Sequence, residues 1–383
     1  MPGIRVQNGK DVFTSALDRL IELYEKREDE IVVSFSAGKD SMVVLEMAIL
    51  AAEATDRLPV KVLMRDEEIM FPGTFEYAER VAARPEVDFH WIYARQPILN
   101  VFNRRQPFLW VFDPLLDESE WVRKPPEIAY EIPEKNINEM ITKTRFPTEG
   151  DLWQVTGVRA AESAARRYSV FSAKGWKTKP NRIGTRAARP VFDWKDGDVW
   201  KAVQDFGWDY NSAYDALYRN GIKASGLRIA PPTMSAAGVG LLQVAAKAWP
   251  QWFDKVALRA PGVRTAAKFG KRAVSPVRRT GETWQQTFQR ECVDEAPDWI
   301  AGRSTKVVEK LLHMHKRHST EPFPETKNCR NCVGSMGAWR AVANSMYGGD
   351  PFIQRVGNLV PVIQPEFFRD GAGTWGKGNP SYG

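Results

Sequence analysis

The sequence predicts an α/β protein: a parallel, doubly wound sheet followed by a helical, basic C-terminal region. Three observations predict it. Short β-branched and aromatic runs alternate with helical patterns over residues 11–206, and that alternation implies a parallel sheet covered on both faces. The first run ends in a small polar loop that opens directly into a helix. The composition, 43% hydrophobic and 26% charged over 383 residues, is globular and excludes collagen, coiled coil and global disorder.

The elements follow in order. Residues 11–27 carry Val12, Phe13, Ala16, Leu17, Leu20, Ile21 and Tyr24 at helical spacing. Residues 31–35 read as a buried strand, 36–40 as the polar loop and 42–54 as the next helix. A second strand, 59–64, ends at Arg65-Asp66-Glu67-Glu68, and 74–83 is helical. Residues 89–93 and 153–158 are the third and fourth strands. A helix spans 160–168. A fifth strand, 190–192, precedes a helix at 196–206. Between 96 and 150 seven prolines and many aromatic residues break the rhythm, which marks an insertion or lid over the strand ends. The expected domains are therefore 1–210, containing that insertion, and a helical region over 211–370. The Gly-rich residues 371–383 would form a flexible tail.

Charge is unevenly placed. Residues 1–150 hold 19 Lys+Arg and 27 Asp+Glu, a net −8, and residues 151–383 hold 35 and 20, a net +15. Nine basic residues fall in 157–189 against Glu162 alone, and eight in 255–279 with no acid. Such a half suits a polyanionic ligand, either nucleic acid or a phosphorylated small molecule; a solvated basic face is the plain alternative. Trp249, Trp252, Phe253 and Trp284 flank the second stretch and would either stack bases or pack in the core. No apolar stretch reaches the ~20 residues of a membrane span, and no secretory signal is visible. With three cysteines in all, a disulfide framework is excluded and a cytoplasmic location is expected.

The loop Ser36-Ala37-Gly38-Lys39-Asp40-Ser41 has the chemistry of a phosphate cradle. Small residues let the backbone approach an anion, and the following helix presents free N–H groups and its positive dipole end. Lys39 adds charge, and the hydroxyls of Ser36 and Ser41 add donors. It is not a Walker A loop, because Asp40 stands where Ser or Thr should follow Gly38-Lys39.

The hexapeptide resembles the S-G-G-K-D-S loop of the PP-loop N-type ATP pyrophosphatases, with Ala37 in place of a glycine. Two further segments resemble the phosphoadenosine phosphosulfate (PAPS) reductase branch. Residues 60–77, with Asp66, Glu67, Phe71 and Pro72, are similar to the second strand of that group and the F-P-E-T that follows it. Residues 155–167, with Gly157, Arg159, Glu162, Ser163 and Arg166, are similar to its G-I-R-x-x-E-S-x-x-R motif. Residues 189–200 resemble the P-L-x-D-W segment that comes next. The resemblance covers about half the chain and implies an adenine nucleotide alpha hydrolase-like fold. The Glu-Cys-Gly-Leu-His motif of the reductases is absent: Val293-Asp294-Glu295 follow Glu291-Cys292. Residues 228–232 and the later basic stretch look like a PAPS reductase-like branch common in phages and mobile elements.

The resemblance implies ATP and Mg²⁺ at the loop. Ser36, Ala37, Gly38, Lys39, Asp40 and Ser41 would hold phosphates, and Asp40, Asp66 or Glu67 would reach Mg²⁺. Gly157, Arg159, Glu162, Ser163 and Arg166 would orient the substrate. Lys39, Asp40 and Arg159 are the catalytic candidates. Cys292, Cys329 and Cys332 leave three readings open: a [4Fe–4S] cluster, a structural Zn²⁺ site completed by His313, His315 or His318, or thiols without metal. The leading expectation is an ATP pyrophosphatase that adenylylates a substrate, releases pyrophosphate and transfers sulfur to nucleic acid. The alternatives are a sulfonucleotide-binding or -reducing enzyme and a non-catalytic ATP- and nucleic-acid-sensing subunit. A homodimer or a partner protein stays open, and no membrane partner is expected.

Overall fold

The computed structural model describes residues 8–133, 137–234, 238–331 and 336–368. They gather into two compact units. The first comprises the chain up to Gln96, then Val111–Pro231 and Lys247–Trp252; the second comprises Pro97–Trp110, Pro232–Ala246 and the chain from Phe253 onward.

In chain order the first elements are α1 (Val12–Tyr24), β1 (Glu30–Phe35), α2 (Lys39–Ala54), β2 (Val60–Asp66), α3 (Thr74–Ala82) and β3 (Val87–Tyr93). A hairpin of β4 (Pro97–Leu99) and β5 (Phe108–Trp110) belongs to the second unit. Then come β6 (Tyr130–Glu131), α4 (Ile137–Met140), β7 (Leu152–Val155), α5 (Ala164–Ser172), β8 (Thr185–Ala188), α6 (Asp196–Phe206) and α7 (Ala213–Arg219). Six strands form one sheet in the order β6-β3-β2-β1-β7-β8, and every pairing is parallel. The chain thus builds outward from β1 to one side and then returns to build on the other. At that reversal the crevice outside the carboxyl ends of β1 and β7 is the natural ligand position of such sheets.

Burial explains why β1 is apolar except at its half-buried positions, Glu30 and Ser34. Ile31, Val33 and Phe35 face a core shared with α1, α2 and α6. Val32 points the other way and packs with Leu63, Ile92, Ile132, Met140, Ile141 and Phe146. The two-residue period of a strand assigns these faces, and Ile132, Met140, Ile141 and Phe146 cover the second one.

Several expectations change. The fifth strand is Thr185–Ala188, in register with Leu152–Val155, and 190–192 form a turn in which Phe192 N–H donates to the Arg189 carbonyl. Pro190 has no N–H for a ladder, which is why the turn falls there. The helix expected at 160–168 begins only after Ser163, whose side chain accepts the Arg166 N–H and caps it. The sixth strand, Tyr130–Glu131, is two exposed residues in the Pro-rich insertion, too short for a period to show. Trp249 and Trp252 pack against Phe71, with ring centroids 5.7 and 5.2 Å away.

In the second unit the remaining helices are α8 (Gly238–Ala248), α9 (Pro250–Arg259), α10 (Val263–Phe269), α11 (Trp284–Gln289), α12 (Asp298–His318) and α13 (Trp339–Met346); the ends of α8 and α9 belong to the first unit. Phe288, Cys292, Val307, Leu311, Val342 and Met346 form one core there. Phe108, Trp299, Ile300, Ile363 and Phe368 form a second.

One buried ion pair anchors α1 in the first unit. Arg19 donates to both carboxylate oxygens of Asp193 at 2.9 and 2.8 Å and to the Pro190 carbonyl at 2.6 Å. Removing one partner strands a charge in the core, which costs about 3 kcal/mol or more. Asp193→Ala should therefore lower the urea-unfolding free energy by about that amount; a change near zero would show that the pair does not hold α1.

Candidate functional site

A cavity of about 760 Å³ opens in the first unit over the ends of β1, β2 and β7. Its wall includes Ser36, Gly38, Lys39, Asp40, Ser41, Glu67, Gly157, Arg159, Glu162 and Arg166. The segments that resembled one family are therefore brought to one place.

The loop after β1 is held by its own polar groups. Ser36 N–H donates to Ser41 Oγ at 3.2 Å, and Ser41 Oγ–H donates to the Gly38 carbonyl at 2.9 Å. Gly38 is the extended N-cap of α2, so the helix axis ends at the cavity and its dipole favours an anion there. Ala37 carries a φ of 55°, the left-handed region that glycine adopts freely and alanine does not.

Gly157 brings β7's outgoing chain against that helix. A Cβ at Gly157 would lie 2.6 Å from the carbonyl carbon of Asp40 and 2.9 Å from the Ser41 nitrogen. Only glycine permits this approach.

Charge is concentrated on two cations. Arg159 is 1% exposed. Its Nε donates to Asp40 Oδ1 at 2.7 Å and its Nη2 to Asp196 Oδ1 at 2.7 Å. Its Nη1 has no hydrogen-bond partner among the described residues. Lys39 Nζ donates to the Leu227 carbonyl at 3.3 Å and lies 3.4 Å from Asp196 and 3.8 Å from Asp40. Burial opposes the Arg159 charge, but the attraction of Asp40 and the hydrogen bonds outweigh it and hold the guanidinium above its usual range. Burial likewise pushes Asp196 up, while Arg159 and Lys39 pull harder and leave it below the ordinary carboxylate range. Arg166 is half exposed, 3.9 Å from Glu162. Arg189 is lowered first by burial and then by the like charge of Arg166.

Three expected residues do not line the cavity. Asp66 is fully buried. It accepts from Trp91 Nε1 at 3.0 Å, from Glu68 N–H at 2.9 Å and from Arg123. That makes it an anchor of the insertion and removes it from reach of a cation at the loop. Ser163 is spent as the α5 cap. Ala37 is packed beneath the loop. Asp196, Tyr214, Gln154, Thr156 and Arg228 line the cavity and were not anticipated. Asp196 lay inside a segment already matched to the family and was legible there. Arg228 opens the segment 228–232 that resembled the family branch, though no site role was read for it; Tyr214 belongs to no recognisable spacing.

The cysteines do not form a site among the described residues, where no group of three or more His, Cys, Asp or Glu could hold a metal. Cys332 lies outside the described residues. Cys292 is fully buried and its thiol is directed at the Ala343 carbonyl, 3.6 Å away. Burial pushes that thiol up to about 12. Enclosed by Val307, Leu311 and Met346, with no second metal-ligating group gathered round it among the described residues, Cys292 sits as a core thiol and not as a member of a ligand set. Histidine does not replace it: His315 is buried and engages the Glu321 carbonyl through Nε2.

The phosphoadenosine phosphosulfate reductase domain family matches residues 30–220. That stretch is a domain of this family. Apart from Pro97–Trp110, the family domain lies within the first unit, and the loop, Gly157, Arg159 and Asp196 are all there. Over 353 residues the chain is 24% identical to the uncharacterized protein YbdN of Escherichia coli (strain K12), covering 84% of each. It is 22% identical over 218 residues to an adenosine 5'-phosphosulfate reductase of Staphylococcus epidermidis, 57% of this chain and 78% of the relative. Among solved structures, Candida glabrata FMN adenylyltransferase aligns with a TM-score of 0.36 at 13% identity, over 54% of this chain. The chain spans 58% of that protein, under two thirds of its length.

The burial of Cys292 is directly checkable. In the folded protein at pH 8, iodoacetamide should leave Cys292 unmodified by mass spectrometry and should reach it after denaturation. Modification of native Cys292 as fast as of Cys329 would contradict its placement.

Proposed function

We propose that the chain binds ATP in this cavity and uses it to adenylylate an acceptor, releasing pyrophosphate. The observation that carries this is Arg159: a buried guanidinium on the cavity wall, one nitrogen without a partner, beside the N-terminus of α2. A buried donor left open is costly unless a ligand completes it. The wall holds five cations (Lys39, Arg65, Arg159, Arg166, Arg228) against four carboxylates (Asp40, Glu67, Glu162, Asp196), and the volume is that of a small-molecule site. The family match supports a nucleotide.

In this reading the loop and Lys39 hold the phosphates, and Lys39 and Arg159 stabilise charge that develops on the leaving pyrophosphate. The acceptor oxygen bonds to the α-phosphorus as the bridge to the β-phosphorus breaks; the electron pair leaves with pyrophosphate and the acceptor's proton passes to solvent. Mg²⁺ would screen the phosphates, and the oxygens of Asp40, Asp196 and Glu67 suit such a cation. Arg166 and Arg189, two neighbouring cations, would meet an anionic group of the acceptor.

For the acceptor we propose nucleic acid. Lys268, Lys271 and Arg272, on and after α10, are exposed and have no acidic partner within ion-pair distance among the described residues. With hydrosulfide as the nucleophile, a carbon–sulfur bond would form as the carbon–oxygen bond to AMP breaks, which completes a thiolation. No cluster on the cysteines is invoked. Affinity for a single-stranded oligonucleotide should fall steeply with salt; a flat salt response would favour a small-molecule acceptor.

Lys39→Ala should reduce pyrophosphate release from ATP by about 100-fold or more, measured with a pyrophosphatase-coupled phosphate assay. Unchanged release from a folded variant would contradict the assignment.

A further inference from the structure

The cavity loop adopts a backbone turn that its own sequence does not favour. Ala37 sits at φ 55°, and an L-residue with a Cβ pays for that region. Gly38, the glycine beside it, has an ordinary φ of −85°. The permissive residue is therefore not where the turn needs it, and something else must hold the turn.

Residues 211–214 supply the hold. Asn211 is fully buried. Its Nδ2 donates to the Ala37 carbonyl at 3.1 Å and to Thr74 Oγ1 at 3.1 Å, while its Oδ1 accepts the Ala213 N–H at 2.9 Å. Tyr214, 3% exposed, accepts the Lys39 N–H on its hydroxyl at 2.7 Å. Two side chains thus fix the carbonyl before Gly38 and the amide after it. The segment is itself pinned from behind. Gly73, at φ 91°, lets it come so near that a Cβ there would sit 2.7 Å from Ser212 Oγ and 2.9 Å from the Ala213 nitrogen. The Tyr214 ring stands edge-on to Trp200 at 5.2 Å.

We propose that Asn211 and Tyr214 are positioning residues that hold the phosphate loop in its left-handed turn at Ala37, so that nucleotide affinity depends on this brace where a glycine would make it dispensable. The inference rests on the nucleotide reading of the cavity and adds which residues set its affinity. Relaxing an alanine out of the left-handed region changes the population of the turn about five- to thirty-fold, and that ratio should appear in binding.

The test is a double-mutant cycle between Tyr214→Phe, which removes only the hydroxyl, and Ala37→Gly, which removes the strain. ATP affinity is read by calorimetry, folding by Tm, and the loop of the unliganded protein by hydrogen exchange over 36–41. Tyr214→Phe should weaken ATP binding about ten-fold and speed loop exchange. In the Ala37→Gly background the same change should cost about three-fold or less. Tyr214→Phe with unchanged loop exchange would overturn the brace. So would a loss of affinity that Ala37→Gly does not rescue, or one that only tracks Tm. If wild type binds no ATP but loop exchange responds and is rescued as described, the brace stands and the ATP reading falls.

Discussion

The site depends on one guanidinium. Arg159 leaves the end of β7, crosses to Asp40 in the first turn of α2 and to Asp196 at the start of α6. Three segments far apart in sequence are tied at a single buried group. The arrangement is stable because each carboxylate lies at a helix N-terminus, where negative charge is favoured, and because the cation is desolvated only once for two partners. One nitrogen of the guanidinium has no hydrogen-bond partner among the described residues, and the residue lines the cavity. The side chain that ties the three segments together is the one to which the proposed function assigns the anion.

The sheet order makes that tie possible. Because strands are added first on the β2 side of β1 and later on the β7 side, the outgoing chains of β1 and β7 run side by side at the crevice. Gly157 then determines how near they come. Had it a Cβ, the Asp40 backbone would have to retreat, and the Arg159 bonds to α2 would lengthen. The helix dipole, the close approach and the ion pairs are consequences of one topological reversal.

Much of this was legible before any coordinates. The loop 36–41, Gly157, Arg159 and Glu162 could be read because short motifs constrain them locally. Strand β1 could be read because both of its faces are buried. Other parts had no local signal. Strand β8, four residues long and half covered, resembles a loop in sequence, and the more apolar 190–192 was mistaken for it. Asp66 was expected near a cation because its segment resembles the family's second strand, yet it is buried on Trp91 and Arg123. Tyr214 and Asn211 act through contacts 174–175 residues distant along the chain, which no periodicity reports. Cys292 has the residue type of a ligand, but its neighbours Val307, Leu311 and Met346 make it core.

The most direct test of the central claim is calorimetric titration of the folded wild-type protein with inorganic pyrophosphate, alone and in the presence of saturating ATP. The open Arg159 nitrogen, Lys39 and the α2 N-terminus predict that pyrophosphate binds and that ATP abolishes its binding by occupying the same cavity. Pyrophosphate that fails to bind, or that binds equally well with ATP present, would contradict an anion site at this loop.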